Sequence, residues 1–370
     1  MILTFFISIG LSIGYIYLLQ WITDGWEATG SYKGGDSTIK VTVIIAARNE
    51  EISIAKCLKS IFQNQYPSNL LEIIVVDDQS EDKTASIIAE QYPQVKLLST
   101  KKDSGKKAAI ALATKEAQGE LLLFTDADCT VPITWIQTMV ANYDSDQVHF
   151  LAAPIQIDLL DTNLSRFQYL DVAATMAVTA NGIQRQKYYS ANGANMAVKK
   201  STFLDLYDVR NDEKIASGDD MFTIQYLAQQ DLSKITYVRS VEATVTTKGE
   251  AKILDLISQR KRWAGKSRHY PDKNIILVQG YVFLLVVAIL GNVILGFMTD
   301  GLGVFTAVMM LFIKVTIDYL FLAHICKFFK KEEATKKYLI SAASYNVYIL
   351  FAGLVALIPG KYVWKGRSVS

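Results

Sequence analysis

The first 22 residues, MILTFFISIGLSIGYIYLLQWI, carry no charged side chain. At 1.5 Å per residue, about 20 apolar residues cover the roughly 30 Å hydrocarbon core of a bilayer. A cleaved leader would need a basic start, a shorter apolar run and a small-residue cleavage site, so residues 1–22 are expected to remain as a membrane anchor with Trp21 and Trp26 at the interface. Three further apolar segments, 275–298, 303–325 and 338–358, make residues 274–358 a candidate helical membrane region. The lysine-rich stretch KFFKKEEATKK lies between the second and third of these and belongs in the cytoplasm by the positive-inside rule. Counting back puts the long central region in the cytoplasm too, at the inner membrane if the cell is bacterial. The same count sends the basic tail, 359–370, outside against its charge, so the fourth span is the one a re-entrant or interfacial helix could replace. Lys314 and Asp318 sit four apart on one helical face and read as a self-neutralising pair.

The central region is of another kind. Residues 39–250 alternate short β-branched runs, at 41–46, 72–76, 95–98 and 120–125, with helical periods near 51–63, 82–91 and 106–117. Strands separated by helical crossovers imply an α/β, Rossmann-like, mostly parallel sheet covered on both faces. Ligands of such sheets bind at the carboxyl ends of the strands. Acidic residues sit at those ends: Asp77 and Asp78 after one strand, Asp126 and Asp128 after another. In an extended chain Asp126 and Asp128 would face one ligand together, and two hard oxygen donors suit Mg²⁺ or Mn²⁺ with positions left for substrate phosphates. The chain has 38 basic and 36 acidic residues, a net charge of +2, and no global field that would recommend nucleic acid as a partner. Its three cysteines and three histidines share no metal-ligand spacing, so neither a disulfide framework nor a zinc site is expected.

After these strands come AARNE (46–50), VVDDQSED (75–82), GKKAAI (105–110), TDAD (125–128), GANMAV (193–198), SGDDMF (217–222) and QRKRW (259–263). In order and spacing they resemble the membrane-bound family 2 glycosyltransferases with a GT-A fold, a family that includes ceramide glucosyltransferases and polysaccharide synthases. The resemblance implies a transferase that takes a hexose from a nucleotide diphosphate sugar, a UDP-sugar by preference, in the presence of Mg²⁺ or Mn²⁺. Ala46, Arg48 and Glu50 would border the nucleotide, Asp78 or Asp77 would bond the uracil, and Lys106 would lie near the base and diphosphate. Asp126 would approach the ribose, sugar or metal, and Asp128 would hold the metal. Asp220 takes the position of the catalytic base, with Asp219 its acidic neighbour. Arg262 would face the diphosphate, Gln259 and Trp263 the acceptor, and Gly193 and Asn195 the wall near the sugar.

Direct attack opposite the leaving group would invert the anomeric centre. Residues 251–271 combine apolar residues with a basic run, as an amphipathic helix on the membrane surface does. A site delivered to the bilayer favours a membrane-lipid hydroxyl as acceptor. A processive polysaccharide synthase is the main alternative, and a non-catalytic nucleotide-sugar-binding scaffold is a third.

Overall fold

A computed structural model describes residues 2–30, 38–100, 105–144, 146–209, 218–267, 272–298, 301–357, 362–364 and 367–369. In chain order, helix α1 (Ile2–Ala28) precedes β1 (Val41–Ala47), α2 (Ile54–Phe62), β2 (Leu71–Asp77), α3 (Thr84–Gln91), β3 (Lys96–Ser99), α4 (Lys106–Glu116) and β4 (Leu121–Phe124). Then follow α5 (Trp135–Ala141), β5 (Phe150–Ala152), β6 (Ile155–Ile157), α6 (Asn163–Gln184), β7 (Met196–Lys199), α7 (Lys200–Val209), α8 (Asp219–Gln230), β8 (Ile235–Tyr237) and β9 (Val245–Thr247). The chain ends with α9 (Ile253–Ser267), α10 (Asn274–Phe297), α11 (Leu302–Phe328), α12 (Tyr338–Leu357) and a hairpin of β10 (Tyr362–Trp364) and β11 (Arg367–Val369). Two compact units result, one built on the sheet and one on helices.

In the sheet unit seven strands run in the order β3-β2-β1-β4-β7-β5-β8. All neighbours are parallel except β7, which runs against both β4 and β5, so the sheet is mostly parallel as the alternation predicts. Val41, Val43, Ile44 and Ile45 of β1 and every residue of β4 are buried. Continuous apolar runs of this kind belong to strands covered on both faces. A small parallel pair, β6 and β9, is joined by a bridge between Thr130 and Thr246 to the turn that carries Asp126 and Asp128.

In the helical unit α1, α10 and α11 are long and apolar enough to cross a membrane. Helix α12 runs over 20 residues, about 30 Å at 1.5 Å per residue, and its apolar part among the described residues is Tyr338–Leu354. Helices α10 and α11 turn back tightly on glycine: a Cβ at Gly303 would lie 2.5 Å from the backbone N of Gly296. Trp26 is not an interfacial anchor. It is fully buried, edge-on to Phe328 at 5.0 Å and tilted against Phe329 at 6.1 Å. Lys314 and Asp318 do pair, at 2.5 Å, and Tyr15 of α1 donates its hydroxyl to the other oxygen of Asp318. His324 meets Glu27 and His149 meets Thr202; His269 lies outside the described residues.

Candidate active site

Two loops at the carboxyl ends of β1 and β2 are sewn together. Asp78 N–H donates to Ala47 O (2.8 Å), Asn49 N–H to Ser80 Oγ (3.0 Å), Glu81 N–H to Asn49 Oδ1 (2.9 Å) and Glu50 N–H to Thr84 Oγ1 (2.7 Å). Asn49 and Gln79 hold the turns at φ of 52° and 58°, a left-handed region that asparagine tolerates better than most residues. Arg48 is buried and donates to Asp78 O (3.0 Å) while pairing with Glu81 at 3.5 Å, so its guanidinium braces the loops. Ala46 is half-buried at the end of an otherwise closed strand, and Glu50 accepts from Ser53 Oγ at 2.7 Å.

The two adjacent aspartates divide. Asp78 Oδ1 accepts from Thr100 Oγ1 and from Gly105 N–H, both at 2.9 Å, tying β2 to the start of α4. Gly105 meets that bond at φ +108°, where an L side chain is strained. Asp77 Oδ2 accepts a longer bond from Ser80 N–H (3.3 Å), while its Oδ1 is buried with no hydrogen-bond partner. Spare capacity on a buried carboxylate is unusual and asks for a donor.

Asp126 and Asp128 are both half-buried, with Ala127 and Cys129 buried between and after them. The segment is not extended, as its spacing suggested. Cys129 N–H closes a turn onto Asp126 O at 3.1 Å, so the shared exposure comes from the turn and not from strand alternation. Asp126 forms an ion pair with Lys106. Burial works against the charge of that lysine, but Asp126 first, then Asp220 and Asp219, raise its pKa well above the ordinary value. Below the acidic turn lie Cys57 and Cys129, whose thiols are pushed up by burial first and then by Asp126 and Asp128. Nothing in the spacing of the cysteines marks these two inert thiols as lying under the site.

Asp220 is half-buried on the first turn of α8. Its Oδ2 accepts from Gly193 N–H at 2.9 Å and its Oδ1 from Met221 N–H at 2.8 Å, so the carboxylate is held from two sides. A Cβ at Gly193 would lie 3.5 Å from both Asp220 Oδ2 and Lys106 Nζ. Lys106, Asp126, Gly193 and Asp220 are therefore brought together, and Asp219 beside them is buried. Asn195 points elsewhere. It is fully buried, its Oδ1 accepts from Trp135 Nε1 (2.9 Å), and its amide donates to Pro154 O (2.6 Å) and Ala243 O (2.7 Å), which leaves neither N–H for an acceptor.

Gln259, Arg262 and Trp263 belong to α9 of the helical unit. Gln259 donates to Glu250 at 2.9 Å, Arg262 is half-buried and Trp263 is 39% exposed. Sequence reasoning passed over Arg260. It is buried and pairs with Asp171 of α6 at 2.6 Å; no signal in a run of basic residues distinguishes it.

Among the described residues no group of three or more His, Cys, Asp or Glu gathers as a metal cage. Asp126 and Asp128 still suit Mg²⁺ or Mn²⁺. Such ions take one or two protein carboxylates and draw their other ligands from water and substrate phosphates.

Residues 42–201 match the family model of glycosyl transferase family 2. The beta-monoglucosyldiacylglycerol synthase of Nostoc sp. is 28% identical over 244 residues, 63% of this chain and 50% of that protein. The probable glycosyltransferase YdaM of Bacillus subtilis is 29% identical over 238 residues, 61% of this chain and 54% of that one. The chain thus spans about half the length of the curated relatives it matches. The structure of a mannosyltransferase from Pyrobaculum calidifontis, in complex with GDP-Man and Mn²⁺, superimposes with a TM-score of 0.54 at 19% identity, covering 93% of this chain and 99% of that one, which is a likeness of fold. The chain carries a family 2 glycosyltransferase domain with a GT-A fold, flanked in sequence by helices long and apolar enough to cross a membrane.

Proposed function

We propose that the protein is a metal-dependent, inverting glycosyltransferase that moves a sugar from a UDP-linked donor to a membrane-lipid hydroxyl at the cytoplasmic face. The observation that carries this reading is the convergence of Asp220, Lys106 and Asp126 around Gly193, beside the carboxyl ends of the parallel strands. A divalent ion held by Asp128 and Asp126 would neutralise charge developing on the leaving diphosphate. Lys106 adds a fixed cation on the same side, and the motif match alone gives Arg262 the role of a second cation for that charge. Asp77, with an oxygen lacking a donor, is the better of the two aspartates for the uracil N–H.

Asp220 accepts the proton of the attacking hydroxyl. As the hydroxyl oxygen bonds to C1, the bond from C1 to the diphosphate oxygen breaks, and attack from the opposite face inverts the centre. The two backbone N–H groups that hold Asp220 fix its direction without occupying every lone pair. The missing side chain at Gly193 leaves room between base and cation for the reacting atoms. The motif match gives Trp263 the role of an apolar face for the acceptor.

Support for a lipid acceptor comes from the three apolar helices and from the glycolipid synthase among the relatives. Support for the cytoplasmic face is the lysine-rich segment between α11 and α12. The test incubates the protein in lipid nanodiscs with Mg²⁺ or Mn²⁺, labelled nucleotide sugars and a total lipid extract. Label moving with lipid, and lost in Asp128→Asn, supports the proposal. Label retained at the origin as polymer supports a processive synthase, and absence of any product refutes both.

A further inference from the structure

The buried charge of α9 has no part in the chemistry above. Arg260 lies in the helical unit with 7% of its side chain exposed, its Nε buried and without a hydrogen-bond partner, and its Nη2 2.6 Å from Asp171 Oδ2. Burial raises the pKa of Asp171 and the guanidinium opposes that rise. A buried ion pair with an unmet donor is a poor source of stability, since an apolar pair of similar volume often does as well or better. Its advantage is geometric, because a carboxylate fixes the plane of a guanidinium.

That plane has two aromatic neighbours. The indole of Trp263, three residues on and hence on the same helical face, lies with its centroid 4.2 Å from the guanidinium carbon. The ring of Tyr348 of α12 lies 5.9 Å away. Tyr348 in turn meets Phe167 of α6 edge-on at 5.6 Å and Tyr345 at 5.9 Å, and Tyr345 is 5.6 Å from the ammonium of Lys314. Helix α12 thus links the paired charges of α11 to α9.

We infer that Arg260 and Asp171 are positioning residues that hold the indole of Trp263 in one orientation on α9, the orientation in which it serves the acceptor. Asp171 orients the guanidinium, the guanidinium supports one face of the indole, and Tyr348 is the second aromatic neighbour of the guanidinium. The inference rests on the acceptor role proposed for Trp263, but the holding of the indole can be measured without it.

The full chain in nanodiscs is compared as wild type, Arg260→Lys and Asp171→Asn, each beside its Trp263→Phe counterpart. The fluorescence difference within each pair isolates Trp263. Lysine keeps the charge and loses the plane. The Trp263 anisotropy should fall in both variants, and the acceptor KM should rise about 10-fold, the scale of a lost cation–π contact in a desolvated site. Donor Kd and kcat should stay near wild type. In a Trp263→Ala background Arg260→Lys should have no further effect on acceptor KM, because the two act as one unit. Unchanged Trp263 anisotropy in Arg260→Lys would overturn the inference. So would an undiminished effect of Arg260→Lys in the Trp263→Ala background, or equal losses in donor binding and acceptor KM. If wild-type protein transfers no sugar to lipid, the proposed reaction fails, while the anisotropy still decides the role of Arg260.

Discussion

Asn195 sits two residues from the glycine that lines the candidate site, yet its amide faces the interior, and the consequences of removing it can be worked out. Asn195→Ala deletes three hydrogen bonds at once; Trp135 Nε1–H and Ala243 C=O lose those partners, while Pro154 C=O keeps the N–H of Val245 at 3.1 Å. A buried polar group left unmet costs about 1–3 kcal/mol. Two of them come to about 2–6 kcal/mol. For a domain of this size each kcal/mol moves the melting temperature by about 2–4 °C, so the loss should be on the order of 10 °C. Asn195→Asp should be no milder, because it keeps the acceptor for Trp135 but turns an oxygen toward two carbonyls. Melting in detergent or nanodiscs, followed with acceptor KM below the transition, gives the readout. The reasoning predicts a large fall in melting temperature with acceptor KM little changed in the protein that remains folded. A variant that melts like wild type and loses acceptor affinity would refute it and restore Asn195 to the acceptor wall.

Gly105→Ala should cost about 1–3 kcal/mol, because alanine must adopt φ +108° or release the bond to Asp78, and donor affinity should fall as Lys106 moves; isothermal titration and melting read the two effects. Asp128→Asn, or a chelator added to wild type, should abolish transfer without changing the melting temperature of the uncomplexed protein. Asp82 has a folded pKa below its ordinary 3.8: burial alone would raise it, but hydrogen bonds from Thr84 and Glu51 lower it. A lowered carboxylate pKa supplies stability above the unfolded value that is lost as pH falls through the folded one. Melting temperature should therefore drop below about pH 4, and Asp82→Asn should flatten that part of the profile.

Much of this fold is legible in the chain because its strands are buried on both faces. Runs such as VTVIIA and ELLLF have no polar face to confuse with a helix, and the acidic residues that end them mark the ligand side. Other features depend on contacts that periodicity does not carry. Asp126 and Asp128 share exposure because one backbone bond bends the chain between them, and an i, i+2 spacing reads the same in a strand or a turn. Asn195 looks like a loop residue near a ligand until its three bonds to distant segments are seen. Arg260 is one of several basic residues in α9, and only the position of Asp171, far away in sequence, singles it out for burial. Trp26 follows the apolar run of residues 1–22 as interfacial tryptophans do, and Phe328 and Phe329, some three hundred residues later, bury it.

The most direct measurement of the central claim is the configuration of the bond made by wild-type protein and by Asp220→Asn. Both would be given an α-linked UDP-sugar, divalent metal and a lipid extract in nanodiscs, with the anomeric proton of the product read by NMR. The account predicts a β-linked glycolipid from wild type. It also predicts a rate lower by about 10²- to 10⁴-fold in Asp220→Asn, the usual size of a general-base contribution, at unchanged melting temperature. An α-linked product, or full activity in folded Asp220→Asn, would contradict direct displacement with Asp220 as the base.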